Sequence, residues 1–202
     1  MVKINYNSTV SLTIDAQKGF TPLCPEQLPV NGGDEIVAEI LKNNELAQYK
    51  YMSKDAHSRK AAWVATETKP QFTPVEPKSP NLDIRWNSHC NVGEEGFELL
   101  AGLPHASEYD YIVYKGVEKD MHPYSPIYHD LGKKISTGII EKARHDQVDT
   151  FILGGLALDY CLGSGAFDLK EAGFKVIVNL GATRAIGDAN DFALKLRDAG
   201  IV

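Results

Sequence analysis

One stretch constrains this chain more than any other: Thr150 to Gly173, TFILGGLALDYCLGSGAFDLKEAG, an apolar run that breaks at Asp159-Tyr160-Cys161 into a helical pattern. Phe151 to Leu158 is continuously apolar, shows no helical polar face and carries the pair Gly154-Gly155, so it reads as a strand buried on both faces. After the break, Leu162, Ala166 and Leu169 recur at four and then three residues, and Gly173 stands where a helix ends in a left-handed cap. Strand, elbow and helix together put Cys161 at a helix N-terminus on the carboxyl end of a buried strand. Unpaired amide N–H groups and the helix dipole there favour a thiolate and could cradle an oxyanion. A buried cysteine is by itself only a small hydrophobe, so its partners must decide.

The rest of the chain repeats the alternation. Thr9 to Ile14 reads as a strand ending in Asp15, a helix carries Ile36, Val37, Ile40 and Leu41, and Tyr49 to Met52 is a second strand emptying into Ser53-Lys54-Asp55-Ala56-His57. Glu67 to Asp83, with four prolines, reads as a surface loop able to act as a lid, and Gly93 to Gly102 as a short helix. Tyr111 to Tyr114 is a third strand running into Lys115-Gly116, followed by an aromatic, histidine-bearing loop from Val117 to Tyr128. A helix is expected with Leu131, Ile135, Ile139 and Ala143 on one face, a fifth strand from Lys175 to Leu180, and a last helix capped by Asp188. Such alternation predicts an α/β fold, a mostly parallel open sheet with helices on both faces, in one domain spanning 1–202.

Composition narrows the partners. A net charge of −6, with 27 acids against 21 bases and no basic stripe, argues against nucleic acid. No leader pattern and no window of membrane-spanning length argue against a membrane, and the three cysteines Cys24, Cys90 and Cys161 fit reduced thiols; the expected compartment is the cytoplasm. Oligomeric state is left open, a homo-oligomer included.

In open parallel sheets ligands bind beyond the carboxyl ends of the strands. Those ends carry Asp15, then Asp55 and His57, then Lys115, then Cys161. A thiol nucleophile needs a base to take its proton and return it to a leaving group, as Asp15 can, and a positive charge nearby, as Lys115 supplies. Asp15, Lys115 and Cys161 would make an acyl-transfer triad passing through a thioester. Asp55 and His57, two apart in an extended segment, point the same way and can share a metal, with His89 as third ligand; this donor set suits zinc, iron(II) or manganese. His105, His122, His129 and His145 read as surface histidines, although His122 lies in a loop on the pocket side. Gly163-Ser164-Gly165 lacks the third glycine of a dinucleotide fingerprint and reads as small residues for close helix packing.

The segments Asp15-Ala16-Gln17-Lys18-Gly19-Phe20, Lys54-Asp55-Ala56-His57, Trp86-Asn87-Ser88-His89-Cys90, Tyr114-Lys115-Gly116, Tyr124-Ser125 and Gly155-Leu156-Ala157-Leu158-Asp159-Tyr160-Cys161 together resemble the nicotinamidase branch of the isochorismatase-like hydrolases. The resemblance runs in order along nearly the whole chain. It implies a three-layer, Rossmann-like fold, a triad of Asp15, Lys115 and Cys161, and one divalent metal, zinc first and iron or manganese as alternatives, on Asp55, His57 and His89. It further implies Phe20, Trp86 and Tyr124 as walls for the substrate ring, a cis peptide before Ala157, and an oxyanion hole made by the amides of Ala157 and Cys161. Trp63 stands where some nicotinamidases carry another histidine, which leaves three protein ligands. The segments Glu67 to Asp83 and Val117 to Pro123 follow no family pattern and border the pocket. The expected activity is hydrolysis of nicotinamide to nicotinate and ammonia in NAD salvage; the alternatives are an amidohydrolase acting on another small amide, and a ligand-binding domain without turnover.

Overall fold

The computed structural model describes residues 3–202. Five strands, β1 (Thr9–Ile14), β2 (Tyr49–Asp55), β5 (Tyr111–Lys115), β6 (Thr150–Leu156) and β7 (Lys175–Arg184), form a parallel sheet in the order β5-β2-β1-β6-β7. Two short strands, β3 (Pro74–Ser79) and β4 (Leu82–Ile84), pair as a separate antiparallel hairpin. The helices are α1 (Val37–Glu45), α2 (Ile139–His145), α3 (Gly163–Glu171) and α4 (Ala189–Asp198). None of the described helices is long and apolar enough to cross a membrane.

Alternation along β1 assigns the two layers. Val10, Leu12 and Ile14 join Phe151 and Leu153 of β6 in one core, covered by Ile139, Ile140 and Ala143 of α2, Ala166 and Leu169 of α3 and Leu196 of α4. Ser11 and Thr13 point the other way, where the Ser11 hydroxyl donates to Asn44 of α1 at 2.7 Å and Ile36 and Ile40 enter a second core with Trp63, Trp86 and Leu156. Helices therefore lie on both faces, as expected. The chain leaves β1 toward β2 and β5 on one side and returns through β6 and β7 on the other, so the direction of winding reverses between β1 and β6, the crevice where ligands of such sheets bind.

Several boundaries differ from the sequence reading. β2 runs on to Asp55, so Asp55 closes the strand rather than sitting in the loop after it, and β7 continues to Arg184. Loop was expected throughout Glu67 to Asp83, but the hairpin forms there because it can close Val75 and Leu82 over the second core. Gly93 to Gly102 holds only a 3-10 turn at Glu95–Phe97. The helix expected to carry Leu131 and Ile135 begins only at Ile139, after Gly138 with φ 89°, a left-handed conformation that breaks helical propagation. Asp188 caps α4, accepting from the amides of Asn190 and Asp191.

Candidate active site

β6 ends two residues before the expected Leu158. The Leu156–Ala157 peptide is cis, and a turn of π-helix, Leu158–Leu162, leads without interruption into α3. Gly155, at φ 128°, permits this elbow: a Cβ there would lie 1.8 Å from the Ile14 carbonyl oxygen, so only glycine lets the end of β6 press against the end of β1. Cys161 thus stands in the first helical turn. The Ala157 carbonyl accepts from Tyr160 and Leu162, at 3.1 Å each, on either side of the Cys161 amide.

The ends of β1, β2, β5 and β6 converge there. Lys115 is fully buried, its Nζ 3.0 Å from Asp15 Oδ2, 3.6 Å from Cys161 Sγ, 3.4 Å from the Pro123 carbonyl and in direct contact with Asp55 Oδ1. One ammonium therefore serves two carboxylates and the sulfur. Burial by itself would lower the Lys115 pKa; Asp15 and Asp55 outweigh it and hold the group well above its ordinary value, so it stays charged. Asp15, which accepts from the Ser53 hydroxyl at 2.7 Å, is raised to about 6, chiefly by burial. Asp55 goes the other way: burial would raise it, but the Lys115 ammonium holds it below the carboxylate range. Two carboxylates on one lysine are thereby pushed apart, one permanently ionised and one titrating near neutrality, which is how acid–base roles separate.

Cys161 departs from expectation. The helix terminus was expected to favour the thiolate, yet burial pushes the thiol well above its ordinary pKa, with Asp15 and Asp55 raising it further against Lys115. The resting group is a thiol, because the dipole of one helical turn is weaker than complete desolvation beside two acids.

On the outer side of Asp55 lies a second cluster. Asp55 Oδ2 is 3.3 Å from His57 Nε2, without hydrogen-bond geometry, and 3.9 Å from His89 Nε2. His57 Nδ1 lies 3.0 Å from the Gly116 carbonyl and His89 Nδ1 2.6 Å from that of Asn87. A carbonyl only accepts, so each Nδ1 carries a proton, which in the neutral ring leaves the lone pair on Nε2, the tautomer of a metal-ligating histidine. Gly116 makes the first contact possible, since a Cβ there would fall 2.3 Å from the His57 ring. Burial lowers His89 to about 3, leaving it neutral, and His57 Nε2 is buried without a hydrogen-bond partner. Two bare imidazole nitrogens beside an ionised carboxylate fit a divalent cation. Asp15, Asp55 and Cys161 also lie within 4.8 Å of one another, but the cation among those three is the Lys115 ammonium itself.

A cavity of about 20 Å³ joins the clusters, bounded by Phe20, Leu28, Asp55, Trp86, His89, His122, Tyr124, Ala157, Tyr160, Cys161 and Ile186. All three aromatic residues expected as walls border it. Trp86 Nε1 donates to the Tyr124 hydroxyl at 3.1 Å, which donates to Asp83 at 2.9 Å, so the hairpin of β3 and β4 holds two of the walls. A wider cleft of about 260 Å³ beyond Tyr124, against α3, contains neither the thiol nor the lysine nor any histidine.

Sequence reasoning missed four participants. Ser53 and Gln17 position the acids, Gln17 bridging to the backbone of Asp55 at 2.8 and 2.9 Å; Ser53 lies two residues before Asp55 on the same side of β2, a signal the period of the strand offers. Tyr160, next to Cys161, borders the cavity. His122 is the clearest correction: it is 4% exposed rather than superficial, and it joins His57 and His89 with ring nitrogens within 4.8 Å of one another. His105 and His145 are exposed, as expected.

No family model matches the chain. A nicotinamidase of Acinetobacter baylyi is 28% identical over 185 residues, covering 89% of this chain and 83% of that protein. Among solved structures, a nicotinamidase/pyrazinamidase of Acinetobacter baumanii superposes with a TM-score of 0.86 at 23% identity, covering 97% of this chain and 95% of that one. The pyrazinamidase of Pyrococcus horikoshii in complex with zinc gives 0.76 at 22% identity over 96% and 97%. The structural likenesses carry the fold, and the sequence likeness extends along most of the chain. The resemblance to the nicotinamidase branch of the isochorismatase-like hydrolases is therefore borne out, in fold and in sequence.

Proposed function

We propose that the protein hydrolyses nicotinamide to nicotinate and ammonia, as a single domain, through a thioester on Cys161. The observation that carries this is the convergence of Asp15, Lys115 and Cys161 at neighbouring strand ends, with Lys115 Nζ 3.0 Å from the acid and 3.6 Å from the sulfur. The likeness to nicotinamidases supports the choice of substrate.

The titration behaviour assigns the steps. At neutral pH Asp15 is ionised and Cys161 protonated, so Asp15 takes the thiol proton as Sγ attacks the carboxamide carbon. The amides of Ala157 and Cys161, set at the elbow, are the donors for the oxyanion of the tetrahedral adduct. Asp15 passes its proton to the nitrogen, the C–N bond breaks and ammonia leaves. Water then gives a proton to Asp15 and attacks the thioester, the C–S bond breaks, nicotinate departs and the proton returns to sulfur. Lys115 stays charged throughout and offsets the negative charge that moves between oxygen and sulfur.

Phe20, Trp86 and Tyr124 supply apolar walls for the ring. The cavity between them has room for about one water, so admitting a pyridine ring requires the aromatic lining to part. Asp55, His57 and His89 would hold a divalent ion, zinc in first place, with iron or manganese as alternatives. Bound there, such an ion offers a Lewis-acidic position for a ring nitrogen. Nicotinate as product places the reaction in salvage of the pyridine ring for NAD, and three unpaired cysteines support a reducing, cytoplasmic setting.

The test is ammonia release from a panel of nicotinamide, pyrazinamide, benzamide and acetamide, with nicotinamide expected to be turned over fastest. Preference for another amide would move the assignment within the hydrolases; no release from any would favour a binding domain without turnover.

A further inference from the structure

We propose that His122 is a fourth protein ligand of the cation held by Asp55, His57 and His89; the inference rests on the metal reading of that cluster. His122 comes from the irregular segment after β5, and its backbone is tied by donation of its amide to the Asn81 carbonyl beside the hairpin of β3 and β4. Its ring is 4% exposed and Nδ1 has no partner. The donor atoms of His57, His89 and His122 lie within 4.8 Å of one another. Nitrogens sharing one cation at about 2.1 Å stand about 3 Å apart when adjacent and about 4.2 Å apart when opposed, so these three are near coordinating distance.

Trp63 fixes why the third imidazole comes from this loop. Its indole is fully buried among the three histidine rings, with centroid distances of 4.4 Å to His122, 4.7 Å to His57 and 5.3 Å to His89. The indole thus packs against all three rings at once and fills the space beside them. An apolar residue would serve better than histidine if this position only walled the cavity, because a buried imidazole nitrogen without a partner is costly. A cation supplies the missing partner. Four protein donors also leave fewer open positions than three, which restricts what else the ion can bind.

X-ray absorption at the metal edge of the unmodified enzyme loaded with Zn²⁺ or Co²⁺ counts imidazole ligands without any substitution: three are expected. In parallel, Zn²⁺ affinity by competition with a chromophoric chelator should fall at least tenfold in His122→Gln and His122→Ala, and remain unchanged in the exposed His105→Ala. Two imidazoles in the unmodified enzyme, with unchanged affinity in both His122 variants, overturn the fourth ligand and leave the metal site standing. An unmodified enzyme that takes up no metal overturns both.

Discussion

The two clusters that meet at Asp55 are built on opposite electrostatic plans. Around Lys115 charge is nearly closed: one buried ammonium faces two carboxylates and a thiol, and Asp15 has a second partner in the Ser53 hydroxyl. Around the histidines, by contrast, His57 Nε2 and His122 Nδ1 are buried without a hydrogen-bond partner among the described residues. The first cluster carries its own cation and can move a proton among its members. The second has no cation of its own and fits one from outside. Asp55 belongs to both, one oxygen on Lys115 and the other facing the histidines, so binding at one must be felt at the other.

Cys161→Ala should lower kcat for nicotinamide by at least about 10⁴-fold while metal content and fold stay unchanged, because the thioester cannot form; substantial residual turnover by a folded variant would remove the nucleophile from its role. Lys115→Met should strike stability as well as rate. It leaves Asp15 and Asp55 buried without their cation, a loss of about 3–5 kcal/mol measurable by urea denaturation, and unchanged stability would mean the charges are compensated elsewhere. The variant should also move the Cys161 thiol pKa further upward, since Lys115 lowers it against burial and the two acids.

Chelation probes the other cluster. Metal-depleted enzyme should melt at lower temperature, by the linkage expected of any ligand that binds only the folded state, and should lose its preference for nicotinamide over benzamide, while Cys161 still reacts with a small alkylating reagent. Equal preference before and after depletion would separate the metal from ring recognition. The smallest effect is expected from Ser53→Ala. The Ser53 hydroxyl lowers the Asp15 pKa, and activity requires ionised Asp15, so it is lost as pH falls through about 6. Without that hydroxyl the acid limb of kcat/KM should move to higher pH by less than about one unit; a limb that does not move would mean Asp15 is not the group titrating there.

How much could be read before folding depends on how locally each feature is encoded. β1 and the elbow at Cys161 were legible because alternation, glycine pairs and caps act over a few residues. Leu131 and Ile135 were expected on one helix with Ile139 and Ala143 because their spacing is helical, but Gly138 adopts a left-handed conformation that spacing does not report, and the helix begins only at Ile139. The hairpin of β3 and β4 was missed because its prolines mark a loop locally, and only its packing against Trp63 and Trp86 favours the strands.

The sequence by itself determined the parallel α/β plan, the strand ends that bear Asp15, Asp55, Lys115 and Cys161, and the pairing of Asp55 with His57, because side-chain direction along a strand follows from its period of two. Tertiary structure alone decided the protonation states and the membership of His122. A pKa depends on desolvation and on charges brought together from segments far apart in the chain, so the same helix terminus that favours a thiolate in isolation holds a thiol here, beside two buried acids. His122 lies 33 residues beyond His89, in a loop without regular structure, and only the packing of Trp63 and the hairpin turns its ring toward the other histidines.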